Sequence, residues 1–184
     1  MRPIQSIIIH QSDSTFGNVD LIDQWHRDRG WDEIGYHNVI LNGKEDGLSP
    51  YDPTVDGTIE YGRAISKMGA HCRGSNRTSI GICLIGKGNS INVFTPAQLQ
   101  SLKALCSSLI NQFGLSWLDV HGHNEFTSQK TCPGFDVKQW ALEQQDKENN
   151  SVSASEAFKE MDEAWEEFKL TIKGMFPEGG SDEV

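Results

Sequence analysis

The 184-residue chain carries 16 Lys and Arg against 26 Asp and Glu, a formal charge of −10, and 36% of its residues are hydrophobic. That suits one folded domain with a small appendage and excludes disorder throughout. The acidity argues against a nucleic-acid coat or a binder of anionic membranes, and no apolar run nears the ~18 residues that span a bilayer. The charge is uneven: residues 146–184 hold 11 acids and 4 bases, residues 1–145 hold 15 and 12.

In chain order, the N-terminus lacks the apolar length and small-residue cleavage site of a secretory signal, so the expected location is the cytoplasm of the cell that makes it. Residues 4–10 hold four β-branched isoleucines and end at His10, which predicts a central strand. A polar loop over 12–18 precedes a helix from Asp20 to Arg29 with a stop at Gly30. Strands are predicted over Gly35–Leu41 and Thr58–Tyr61, separated by a long loop that suits an insertion or a substrate-facing rim. A polar, Gly-containing loop over 68–78 leads to a buried strand, Ser79–Ile85. Thr95 as N-cap and Pro96 at the first helical position open a helix that runs to about Phe113. A strand over Trp117–His121, a loop over Gly122–Gly134 and a helix over Phe135–Gln144 complete the domain. The fold class is therefore α/β, a mixed central β-sheet flanked by helices.

After Gln144 the texture changes. Residues 145–151 read as a polar linker, and Ser153–Glu156 has the spacing of a capping box. Beyond it Phe158, Met161, Trp165, Phe168, Ile172 and Met175 recur at three- and four-residue steps with glutamates between them, the pattern of an amphipathic helix. The division expected is a domain over 1–145 and an appended acidic helix over 146–184 with a frayed tail from 177. The stripe over 153–176 can pack back on the domain, self-associate or enter a partner's groove. Its acidic polar face argues against a membrane role.

Cys72, Cys83, Cys106 and Cys132 match neither a paired zinc ribbon nor a disulfide framework. Cys83 and Cys106 read as small core residues. Three of the six histidines stand where strands meet loops: His10, His121 and His123. His10, one of the pair His121 and His123, and Cys132 could supply three metal ligands and leave a fourth position for water, the arrangement of catalytic zinc.

Several stretches resemble, in order, the type 2 N-acetylmuramoyl-L-alanine amidases, the fold shared with peptidoglycan recognition proteins, and most of all the amidase-type lysozymes of phages. They are Ile8–Ser12, Gln24–Trp31, Ile34–Ile40, Tyr61–Arg63, Gly69–Cys72 with Gly74–Asn76, Ser79–Gly86, Phe94–Gln98, and Gly122–Glu125 through Lys130–Asp136. The resemblance covers residues 4–144 and leaves the tail unexplained. It implies zinc held by His10, His123 and Cys132, with Tyr36 near the metal and Lys130 stabilising the transition state. His71 and Asn76 become substrate contacts, and Arg63 a binder of the stem peptide's carboxylates. His26 reads as structural. His37, next to Tyr36 on a strand, should face away from it. The activity implied is hydrolysis of the amide between N-acetylmuramic acid and L-alanine, by an endolysin admitted to the cell wall at lysis. Alternatives are a non-catalytic peptidoglycan-binding module, against which Cys132 counts, and a lysis amidase that also binds a protein such as phage RNA polymerase.

Overall fold

In the computed structural model, residues 2–127 and 129–175 are described, with the backbone alone for 170–175. Spatial contacts divide the chain into two units, Met1–Gln144 and Gln145–Val184.

The first unit is built on a five-stranded sheet of β1 (Ser6–Gln11), β2 (Asn38–Ile40), β3 (Ile59–Tyr61), β4 (Ser79–Leu84) and β5 (Val120–Gly122), in the order β3-β2-β4-β1-β5. β2, β4, β1 and β5 run parallel, and β3 joins antiparallel at the edge. β1 and β4 are interior strands buried on both faces, which is why both read as continuous apolar runs rather than as alternation.

Side-chain alternation along these strands sorts two cores. Ile7, Ile9, Ile80, Ile82, Leu84 and Ile40 face α2 (Pro96–Phe113) and the start of α3 (Val137–Met175), packing on Leu102, Cys106, Leu109, Trp117 and Trp140. Val39, Cys83 and Ile85 face the other way, toward Ile22 and Trp25 of α1 (Val19–Asp28). His10 has the parity of Ile8 and pairs in register with Cys83, so it belongs to the α1 face at the carboxyl end of β1. In open α/β sheets that edge is where ligands bind.

Helix starts match the sequence closely. Asn18 caps α1, its side chain accepting from the Leu21 N–H. Thr95 and Gln98 form a reciprocal capping box on α2, with Pro96 in the first turn. Gln98 also works beyond its own helix. Its buried amide donates to the carbonyls of Ile40 and Ile85 at 2.9 Å each, joining α2 to the ends of β2 and β4.

The structure corrects three expectations. Trp117–Asp119 is a 3-10 turn whose first residue is capped through Ser116 and Asp119, and the strand begins only at Val120. β2 begins at Asn38, so alternation does not govern Tyr36 and His37. The His37 ring lies 5.6 Å from His71, on the side of the sheet where His10 also sits, rather than facing away. The polar stretch 145–151 is helical and forms part of α3, and Ser153–Glu156 caps nothing because the helix is already running there.

In the second unit, α3 continues to Met175. Phe158, Met161, Trp165 and Phe168 are 51–68% exposed. Trp165 and Phe168 stack at 5.6 Å, and Lys159 pairs with Glu163 one turn on. The side chains of Ile172 and Met175, and the frayed tail expected from 177, lie outside the described residues. Among the described residues no helix is long and apolar enough to cross a membrane.

Candidate active site

Three segments converge at the carboxyl edge of the sheet. β1 delivers His10. β5 ends at Gly122 and turns at once into a 3-10 turn, His123–Glu125, which aims His123 back across β1. The loop after it returns with Cys132, and the Asn124 N–H donates to the Cys132 carbonyl at 2.8 Å, tying the second and third segments together. The donor atoms of His10, His123 and Cys132 lie within 4.8 Å of one another, a cluster able to hold a metal ion. Cys132 Sγ stands 3.8 Å from His10 Nδ1 and receives the Gln11 N–H at 3.3 Å.

Electrostatics suit these groups to ligation. Burial, then the nearby rings of His71 and His123, hold His10 well below its ordinary 6.5, so its imidazole is neutral and keeps a lone pair. Burial and Lys130 lower His123 as well. Burial pushes the Cys132 thiol up to about 11, partly offset by the Gln11 N–H and Lys130. The buried thiolate therefore needs a cation to compensate it, the role a metal fills.

A cavity of about 590 Å³ opens over the cluster. Cys132, His123 and Tyr36 line it, with Lys130, Arg29 and Lys87 as cationic groups and Asp13, 3.6 Å from Lys87, as an anionic one. The Tyr36 ring packs 5.1 Å from His10, and its hydroxyl interacts with the Cys83 thiol on the neighbouring strand. Cys83 thus contacts the site as well as the core. Such a surface suits an anionic substrate whose reacting carbonyl meets the cluster while negative charge develops beside Lys130.

Not every expected residue reaches this cavity. His71 is 8% exposed and lies behind His10, its Nδ1 3.0 Å from His10 Nε2. Asn76 turns its Oδ1 to the backbone N–H groups of His71 and Cys72, both at 2.8 Å. Arg63 spends its guanidinium on the carbonyls of Ile34, Met68 and Glu33, pinning the loop before β2. None of the three lines the cavity, and the atoms named here are engaged within the protein. His121 pairs with Glu125 at 3.0 Å and is not part of the cluster. His26 is buried and accepts the Gly35 N–H, the structural role expected. Arg29 went unread because a cation at the end of a helix is the commonplace answer to the helix dipole; only the fold turns it toward the cavity.

The sequence profile of the N-acetylmuramoyl-L-alanine amidases matches residues 1–135. The endolysin of Klebsiella phage KP32 is 40% identical over 142 residues, covering 73% of this chain and 83% of that protein. Among solved structures, the N-acetylmuramoyl-L-alanine amidase LysC from Clostridium intestinale URNW superposes with a TM-score of 0.63 at 29% identity, over 80% of this chain and 87% of that one. The tracheal cytotoxin complex of the peptidoglycan recognition protein ectodomains LCa and LCx gives 0.59 at 25% identity, over 76% and 81%.

Proposed function

The chain belongs to the N-acetylmuramoyl-L-alanine amidase family, and on that premise we propose that it is a zinc enzyme which, as an endolysin, cuts the bond between the lactyl group of N-acetylmuramic acid and L-alanine. The observation that carries this reading is the convergence of His10, His123 and Cys132 under a cavity walled by Lys130. Two imidazoles and a thiol are the donor set zinc takes, and a catalytic site uses three such ligands. Tetrahedral bonds of about 2.0–2.3 Å set ligand atoms about 3.3–3.7 Å apart. The 3.8 Å between Cys132 Sγ and His10 Nδ1 is close to that.

When bound, zinc supplies a Lewis acid that polarises a carbonyl and lets water act as a nucleophile at neutral pH. The protein's own groups do the rest. Lys130 offsets the negative charge of the tetrahedral intermediate. Tyr36, a phenol protonated at neutral pH, lines the reacting centre, and its hydroxyl turns from the Cys83 thiol to donate to the attacking water or the oxyanion. Arg29 takes the role expected of Arg63 and binds a stem-peptide carboxylate with its planar fork. Overall, water adds to the carbonyl, the C–N bond breaks and the L-alanine amine leaves with a proton. A purely recognitive module has no use for a buried thiol beside two neutral imidazoles. The exposed stripe of α3 is assigned to a protein contact, self-association or a partner, separate from this chemistry.

Digestion of purified peptidoglycan tests the reading. New L-alanine amino termini are expected, abolished by a chelator and by Cys132→Ser. New reducing sugars without free amines would overturn it.

A further inference from the structure

Behind His10 a chain of hydrogen bonds runs away from the cavity into the protein. Ser79 Oγ donates its one proton to the Ser75 carbonyl at 2.7 Å, an acceptor that cannot donate back. The same oxygen therefore meets His71 Nε2, 3.4 Å away, as an acceptor, so His71 carries its proton on Nε2. That leaves His71 Nδ1 with a lone pair, 3.0 Å from His10 Nε2. His10 must then carry its proton on Nε2, which leaves the lone pair on Nδ1, the nitrogen 3.8 Å from Cys132 Sγ.

The surroundings hold His71 for this. A Cβ at Gly81 or at Gly69 would lie 2.5 Å from its ring, so two glycines form the slot that admits it. Asn76 Oδ1 grips its backbone N–H. Both sides of the ring and the loop that carries it are fixed, with the ring edge turned to His10.

We infer that His71 is a positioning residue: with Ser79 and the Ser75 carbonyl it fixes the tautomer and ring orientation of His10, so that Nδ1 is presented to the metal before any metal arrives. The inference rests on the zinc reading above and extends it from the ligands to what orients them. Groups that orient a ligating histidine typically govern about 10- to 100-fold of metal affinity.

The test uses the full chain, stripped of metal, with zinc as the probe in competition with a chromophoric chelator, and long-range nitrogen–proton NMR of the histidine rings. In the metal-free wild type, His10 is expected to be protonated on Nε2. His71→Ala should bind zinc about 10- to 100-fold more weakly while keeping a cooperative unfolding transition, and its His10 should become a mixture of tautomers. His71→Asn, whose Oδ1 can accept where Nδ1 did, should recover most of the affinity. Ser79→Ala, which removes only the far hydrogen bond, should weaken zinc in the same direction by less, and it keeps the test decisive if His71→Ala fails to fold. A metal-free wild type with the His10 proton on Nδ1, or zinc affinity unchanged in folded His71→Ala, would overturn the inference. A wild type that binds no zinc overturns the metal reading itself, and the ring spectra distinguish the two failures because they are read without metal.

Discussion

Lys130 and Arg29 share one cavity, and their chemistry predicts different kinetic signatures. In its proposed role Lys130 faces charge that exists only as the amide is attacked. Lys130→Ala should lower kcat about 100-fold, a loss of about 2.7 kcal/mol of transition-state stabilisation, and leave bound zinc unchanged. The carboxylate proposed to meet Arg29 is present in substrate and transition state alike, so Arg29→Ala should raise KM with little change in kcat. Steady-state kinetics on a soluble muropeptide separates the two, and equal losses in kcat for both would reject the assignment. His26 makes a prediction about stability. Burial chiefly, then Arg29 and Arg63, lower its pKa from 6.5 to about 4, against an opposing pull from Asp23. The unfolded chain therefore takes up a proton first as the pH falls. The contribution is whole above pH 6.5 and is lost between 6.5 and 4, on the order of 2 kcal/mol by pH 5. Urea unfolding at pH 7 and pH 5 should show a slope of that sign, to which His37 and His71, lowered to about 4 and about 3, also contribute, and His26→Gln should reduce it by its own share.

Among the elements, α2 was legible to the residue because its start is written in local chemistry: an N-cap hydroxyl, a proline in the first turn and a glutamine to close the box. Nothing local announced the other half of Gln98's work, since its acceptors lie 58 and 13 residues away. Gln98→Ala should cost about 1–3 kcal/mol, because buried carbonyls lose a donor; thermal unfolding at pH 7 reads it, and a variant as stable as wild type would refute the bridge. The linker reading at 145–151 failed for a physical reason. Gln, Lys and Glu there are good helix formers, Asp and Asn cost only tenths of a kcal/mol more, and a polar segment already inside a helix has no cause to stop. The turn at Trp117–Asp119 hid behind apolar residues that suit either state. In the site, the ligand triad could be read from spaced histidines and a cysteine once the family register was seen. The contact of His71 with His10 was not legible, because a hydrogen bond between two rings 61 residues apart leaves no trace in a single sequence.

At the scale of the molecule, the two units differ in charge as well as in contacts. The acid excess of 146–184 falls wholly in the second unit, while the cavity and every proposed ligand belong to the first. A chain ended after Gln144 keeps Trp140 and Ala141, which complete the core under the sheet. It should therefore retain amidase activity on soluble muropeptides within about threefold of the full chain. Sedimentation of the two forms should show any self-association only in the longer one. Loss of folding on truncation would instead make the second unit part of the domain's support.

The first and last proposed ligands stand 122 residues apart in sequence, yet their donor atoms lie 3.8 Å apart. A growing chain offers His10 early and Cys132 near the end of the first unit. At about 5–20 residues per second, translation separates the two by on the order of ten seconds. Throughout that interval the nascent protein has no triad with which to capture a metal. The same separation in sequence means that a protease nick followed by loss of either end would disarm the enzyme, and that metal uptake can serve as a clock for completion of the fold.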